Sequence, residues 1–478
     1  MHWAPNTERT LWGSEYYPEE GKTRDPRPEK SPVNLTTALR IGPDPRVAIV
    51  GGGGKTTTMF TLARERPAPV MVASTAHMAV EQLALADQHC FVDAPDDLAS
   101  CELLRTGITF FTGSENASGK TIGLTPETAR AVCALADQQH APLFIEADGS
   151  KCLPLKAPAD HEPPIPDFVD TVICVAGLTG LGQPLDAEHV HRPERFARLS
   201  GLAIGEPITP EALAKVLGDP LGGLKNVPPA ARRIALLNQA DTAELQAQAQ
   251  GLARQLLSAS AYHTVGITAL KYQQVCAVHE PTAGVILAAG GSTRLGPAAR
   301  KPLLTWRGEP FIRHIARTAL GAGLSPVVIV TGAHPAEIRA AVADLPVAPV
   351  HNPEWEAGQS TSVRCGLQAL PGTIGSAVFL LADQPQIPIE LVQALTDRHA
   401  QTLSPIVAPL IGDRRGNPVL FDRVTFVDLR LLTGDVGGRA VFARHPIAYV
   451  PWHDANVLLD VDTLEDYQRL QQLENQSV

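Results

Sequence analysis

Twice in this 478-residue chain a short apolar run breaks into glycine and then into positive charge. The first instance is Arg46-Val-Ala-Ile-Val-Gly-Gly-Gly-Gly-Lys-Thr-Thr-Thr, and the second is Val285-Ile-Leu-Ala-Ala-Gly-Gly-Ser-Thr-Arg-Leu-Gly-Pro-Ala-Ala-Arg-Lys. A short apolar run bounded in this way reads as a buried strand. Glycine lets backbone amides approach an anion closely. Two such loops, far apart in a chain too long for one core, call for two α/β units, each with its own phosphate-sized site.

The rest of the chain fits that division. Residues 1–32 are rich in Pro, Glu, Lys and Arg with little apolar period, and read as a disordered lead. A first domain is expected over 33–272, a linker over 273–282 and a second domain over 283–478. Apolar runs at Arg46–Val50, Val70–Ser74, Leu143–Ala147, Thr171–Val175 and Ile234–Leu237 alternate with helical patterns. So do Val285–Ala288, Val327–Thr331, Ala377–Leu381 and Pro405–Pro409, which predicts parallel sheets flanked by helices in both halves. Pro310 followed by Phe-Ile-Arg-His-Ile-Ala-Arg predicts a helix that stops at Gly321. The fold class is therefore α/β in two domains, the first P-loop-like and the second Rossmann-like.

Charge and cysteine narrow the function. A net charge of −10 argues against bulk binding to nucleic acid or an anionic membrane. The 7 cysteines are scattered, with no C-x-x-C pair, as in a reducing compartment. No apolar run is long enough to span a membrane and no signal-like core opens the chain, so a cytoplasmic location is expected.

In the first loop, G-x-x-x-x-G-K-[ST] is met at Gly54, Lys55 and Thr56, with Ile49 at its leading glycine and Gly51, Gly52 and Gly53 between. The glycine amides would cradle phosphates, Lys55 would reach the outer phosphate, and Thr56 would hold Mg²⁺. Leu143-Phe-Ile-Glu-Ala-Asp ends an apolar strand with Glu146 and Asp148, and Asp148 is taken as the metal-organising acid. Leu236-Leu-Asn-Gln-Ala-Asp is similar to the base-reading element of GTPases, which makes Asn238 and Asp241 candidates for contacting a base. The other reading is a polar strand end that caps the next helix. His161, His189 and His191 match no metal-ligand spacing, so a structural or substrate-contact role is expected for them.

These residues, with Ser74-Thr-Ala-His-Met, Glu146-Ala-Asp-Gly-Ser-Lys, Lys156-Ala-Pro-Ala-Asp-His-Glu-Pro and Val190-His-Arg-Pro-Glu, resemble the YqeC family over about 35–270. The resemblance implies an accessory role toward molybdenum hydroxylases. ATP or GTP is the ligand expected here, and an apo-hydroxylase the possible protein partner.

In the second half, Leu287, Ala288, Ala289, Gly290, Gly291 and Ser292 form the loop, and Arg294 and Lys301 supply cations, with Arg300 beside them. Asp383 follows a buried strand that Pro385 cannot continue. Asp462 stands before the last helix, which Thr463 is suited to cap. With Asn352–Gly366 and Gly434-Asp-Val-Gly-Gly-Arg, this order resembles the MobA-like nucleotidyltransferases, most closely the molybdenum cofactor cytidylyltransferases. The resemblance implies transfer of CMP from CTP to molybdopterin, with Arg294, Lys301 and Asp383 catalytic and Asp383 and Asp462 holding Mg²⁺. Its Leu-Ala-Ala-Gly form goes with CTP, since guanylyl relatives carry Gly where Ala289 stands. A phosphate monoester is already largely dianionic near neutrality, so the reaction needs charge stabilisation rather than a general base. The alternatives are another phosphorylated acceptor, or a chaperone that delivers the cofactor to the hydroxylase.

Overall fold

In the computed structural model, residues 33–101, 104–291 and 300–475 are described. The first domain is built on a nine-stranded sheet. In spatial order its strands are Gln274–His279, Thr264–Ala269, Arg232–Asn238, Thr171–Gly177, Arg46–Gly51, Leu143–Glu146, Val70–Ser74, Ile108–Thr112 and Gln88–Phe91. All pairings are parallel except that of Gln274–His279 with its neighbour. The strand carrying the first glycine loop lies at the centre, where the chain order reverses. In an open parallel sheet that reversal opens a crevice beyond the strand ends.

Alternation along each strand feeds two cores. Val47 and Ile49 enter one cluster with Met59, Phe60 and Leu62 of the helix Lys55–Arg64. Ala48 and Val50 enter the other with Val132 and Ala136 of Pro126–Gln139 and Leu252 and Leu256 of Ala243–Ser258. A strand buried on both faces needs the near-continuous apolar run seen in the sequence.

The second domain follows the same plan with a difference. Thr282–Ala288 pairs in parallel with Val327–Thr331 and Ser376–Leu381, but Val419–Asp422 runs antiparallel to Ser376–Leu381. The sheet is therefore mixed, not all parallel as expected. Its faces are covered by Phe311–Gly321 and Ile389–Thr402 on one side and Gln359–Gln368 on the other.

The stretch expected as a linker is mostly strand. Gln274–His279 completes the first sheet and Thr282–Ala288 opens the second, which leaves Glu280 and Pro281 between them. The short apolar run Val275-Cys-Ala-Val is the strand signal there, and the flanking Glu-Pro concealed it. His279 pairs with Val265 near the start of its neighbour, and Thr282 pairs with Ser376 at the start of its own. The two sheets thus meet at their strand-start edges. Each glycine loop lies at the end of its sheet away from that junction. The proposed lead, residues 1–32, lies outside the described residues.

Candidate nucleotide sites

The first loop is tightly built. Gly51, Gly53 and Gly54 have φ of +99°, +79° and +119°. A Cβ on Gly51 would lie 2.2 Å from Val175 O, and one on Gly53 2.3 Å from Gly177 N. Only glycine allows this approach to the neighbouring strand. The expected amide cradle is only partly available. Gly51 N–H donates to Asp148 (3.1 and 3.2 Å), Gly52 N–H to Val175 O (2.9 Å) and Gly53 N–H to Leu153 O (3.0 Å). The donors left for an anion are those of the first turn of Lys55–Arg64, whose N-cap Gly54 supplies no side-chain acceptor.

Lys55 is buried. Its Nζ donates to Gly51 O (2.9 Å) and Ser150 Oγ (3.1 Å) and faces Glu146 at 3.7 Å and Asp148 at 3.5 Å. Thr56 Oγ1 donates to Glu146 Oε2 at 2.7 Å and receives Gln82 Nε2 at 3.3 Å. Asp148 is committed to Gly51 N–H and to Lys156 Nζ at 2.7 Å, so Glu146 is the acid beside Thr56. Burial pushes the Glu146 carboxyl up, against the pull of Lys55 and Thr56.

A chain of buried charge runs on from there. Lys156 bridges Asp148 and Glu162, each at 2.7 Å, and Arg192 grips Glu162 with two hydrogen bonds of 2.8 and 2.7 Å. Burial alone would raise Glu162, but Arg192 and Lys156 hold it at about 2. Burial, with Arg192 and Lys156 close by, lowers His191 to about 4. The sequence motifs contained Lys156, Glu162 and Arg192 but assigned them no role, and Gln82 lay outside them. Arg192 and Glu162 stand 30 positions apart, and Gln82 and Thr56 stand 26 apart.

Asn238 is bonded to the loop and to the neighbouring strand. Its Nδ2 donates to Gly53 O (2.9 Å), and its Oδ1 accepts from Thr268 Oγ1 (3.1 Å) and Leu270 N–H (3.2 Å). With both ends of the amide committed, it staples the loop to the sheet. Asp241 Oδ1 is buried without a hydrogen-bond partner.

In the second domain Leu287 and Ala288 end the loop strand. Leu287 O accepts from Ala382 N–H and Ala289 O from Ala333 N–H, both at 3.2 Å. Gly291 lies against the Trp355 ring, 3.3 Å from where a Cβ would stand. Ser292 and Arg294 lie outside the described residues. Arg300 turns away to Glu337 at 3.0 Å, and Lys301 enters the site. Lys301 Nζ lies 2.9 Å from Asp383 Oδ2 and 2.6 Å from Asp462 Oδ1. Burial would lower this ammonium, but Asp383 and Asp462 outweigh it and raise its pKa. Val461 N–H donates to Asp383 O (3.2 Å), joining the last segment to the Asp383 strand. Thr463 and Asp466 exchange capping hydrogen bonds at the start of Leu464–Asn475.

Asp460 was missed; it lies two residues before Asp462 in a tight turn in which Asp462 N–H donates to Asp460 O at 3.1 Å. It accepts from Gln384 Nε2 at 2.5 Å. Burial raises it, and nearby Asp383 and Asp462 raise it further. A cavity of about 240 Å³ opens beside Asp460, lined by Leu287, Phe379, Asn417 and Arg439 among others. The Gly434 loop closes over it through Gln359 N–H to Asp435 Oδ1 at 3.2 Å. Among the described residues, no group of three or more His, Cys, Asp and Glu is disposed to hold a metal ion.

Comparison with known proteins agrees with this division. The family described as "YqeC protein" matches residues 47–194, and "MobA-like NTP transferase domain" matches residues 284–449. Uncharacterized protein YqeC of Escherichia coli K12 is 36% identical over 198 residues, which are 40% of this chain and 75% of that protein. Bifunctional protein GlmU of Rhizorhabdus wittichii is 31% identical over 144 residues, 30% of this chain and 31% of that protein. The crystal structure of Rv0371c from Mycobacterium tuberculosis H37Rv is similar at 30% identity and a TM-score of 0.37, covering 40% of this chain and 98% of that one. Through its first domain the chain belongs to the YqeC family, and that domain is fused to a MobA-like NTP transferase domain.

Proposed function

We propose that the second domain, a nucleotidyltransferase by family, moves CMP from CTP to molybdopterin and releases pyrophosphate. The observation that carries the reading is Lys301 held between Asp383 and Asp462, with the cavity at Asp460 beside them. Asp383 Oδ1 is buried and meets no donor. That fits a divalent cation such as Mg²⁺ held by Asp383 and Asp462, with its remaining ligands from phosphate and water. Bound there, the cation would neutralise charge on the triphosphate. Lys301 and the amides of the Ala289–Gly291 stretch face the same charge. They stabilise it on the transferring phosphorus and the departing pyrophosphate without removing a proton. Ala289 supports cytosine as the base.

For the first domain we propose ATP or GTP binding at Gly54–Thr56, with Glu146 and Thr56 beside any metal, in support of the same hydroxylase pathway. All seven cysteines are free thiols, which fits a cytoplasmic location, and no helix of the described residues is long and apolar enough to cross a membrane. The test is pyrophosphate release from each of the four NTPs, with and without molybdopterin. CTP with molybdopterin should lead. Equal release with another phosphorylated acceptor would redirect the substrate and leave the reaction class standing.

A further inference from the structure

A cavity of about 660 Å³ lies where the strand-start edges of the two sheets meet, and neither glycine loop lines it. Arg233, Arg254 and His263 line it from the first domain, and Ser325, Asp397 and His399 from the second. The acids at this junction are largely committed. Glu280 holds Arg40 (2.7 Å) and Arg232 (3.2 Å), and Asp422 holds Arg40 (2.6 Å) and His399 (2.8 Å). Arg254 reaches across the cleft to Asp397 at 3.0 Å, with both side chains exposed.

Arg233 has no carboxylate partner among the described residues. Its terminal nitrogen donates to Ser260 O at 3.3 Å, but its Nε is buried without an acceptor. A buried donor on a charged group is costly to leave unpaired, and in a native fold it calls for a ligand or an explanation. Burial, with Arg233 and Arg232 nearby, lowers His263, and burial with Arg254 nearby lowers His279 to about 4.

We propose that this cleft binds a small phosphate-bearing anion at a third site, separate from both loops. Arg233 lines the cavity with a guanidinium that no carboxylate among the described residues holds. Arg254 can turn from Asp397 to a phosphate at little cost, because an exposed ion pair contributes little. The guanidinium fork matches phosphate oxygens, and the cavity is of metabolite size. A ligand held by Arg233 and Arg254 and reaching Ser325 or His399 across the cavity would touch both domains, so its binding would be linked to how they are held together.

The test is hydrogen exchange of the full chain read by mass spectrometry, with inorganic phosphate as the probe. Phosphate should protect the backbone of 254–263 and 322–326, and Arg233→Gln and Arg254→Gln should each raise the concentration needed by about tenfold. Absence of protection in those segments overturns the proposal. So does protection that persists unchanged in both variants. If Arg233→Gln is poorly folded, Arg254→Gln decides, since that side chain lies on the exposed rim.

Discussion

The two glycine loops sit at equivalent ends of their sheets, yet their lysines are placed in opposite ways. Lys55 and Lys156 have side chains only 3% and 2% exposed, inside an alternating chain of Glu146, Asp148, Glu162 and Arg192. Lys301 lies between two acids that are 22% and 40% exposed, beside an open cavity. The first arrangement is electrostatically complete without a ligand, and three of its loop amides are already bonded to the protein. The second leaves Asp383 Oδ1 without a partner. A phosphate loop can therefore be a structural keystone that also presents a helix end, or an open reaction site. Its glycines alone do not say which.

The largest expected effects separate these two roles. Asp383→Asn should lower nucleotidyl transfer by about a thousandfold or more while circular dichroism and Tm stay near wild type. A variant with retained turnover would remove Asp383 from the chemistry. Lys156→Met should act in the opposite sense. It removes the buried cation shared by Asp148 and Glu162, leaving each with its other partner, and should cost about 3 kcal/mol of stability, measured by urea unfolding of the full chain. Lys301→Met should cost less than about 1 kcal/mol in the same assay, because its acids can reach water. Equal losses for the two lysines would erase the contrast.

A smaller effect tests the staple. Asn238→Ala should cost about 1–3 kcal/mol and weaken ATP and GTP binding alike, since it frees Gly53 O and the Leu270 N–H rather than a base contact. A change in the ATP-to-GTP preference would restore Asn238 as a base reader.

Acid sharpens the comparison further. Glu162 is held at about 2 against an ordinary value of 4.5. Its contribution is present above that ordinary value and is lost as pH falls toward 2, because the unfolded chain then binds the extra proton. His279, lowered to about 4 from 6.5, adds a loss of stability over the interval below 6.5. Glu162→Gln should flatten the fall of Tm at the acid end, and His279→Gln the fall between those two histidine values. The smallest effect is expected at Ala289. Its replacement by Gly should raise the use of GTP relative to CTP by a few fold, about 1 kcal/mol, in pyrophosphate release.

Strand and loop were legible wherever a buried apolar run ended in glycine or acid, as at Arg46–Gly51, Leu143–Glu146 and Thr282–Ala288. The edge strand Gln274–His279 was hidden because its apolar run is only four residues long and Glu-Pro follows it. The antiparallel return of Val419–Asp422 was not legible either, because strand direction depends on where the chain re-enters the sheet. Among the candidate site residues, Lys301 meets Asp383 and Asp462, Thr56 meets Glu146, and Lys55 is buried against Gly51 O and Ser150. Asn238 and Asp148 took other partners, and Asp460 gained a place at the cavity.

By itself, the sequence determined the two α/β units and the chemistry carried at each strand end, because periodicity and glycine act over a few residues. Only the tertiary structure decided what those groups face. It set Lys156 against Asp148, turned Asn238 to Gly53 O, placed Lys301 between Asp383 and Asp462, and joined the sheets edge to edge around Arg40 and Glu280. The physical reason is range. Most of these contacts join residues 82 or more positions apart, and such contacts leave no local pattern to read.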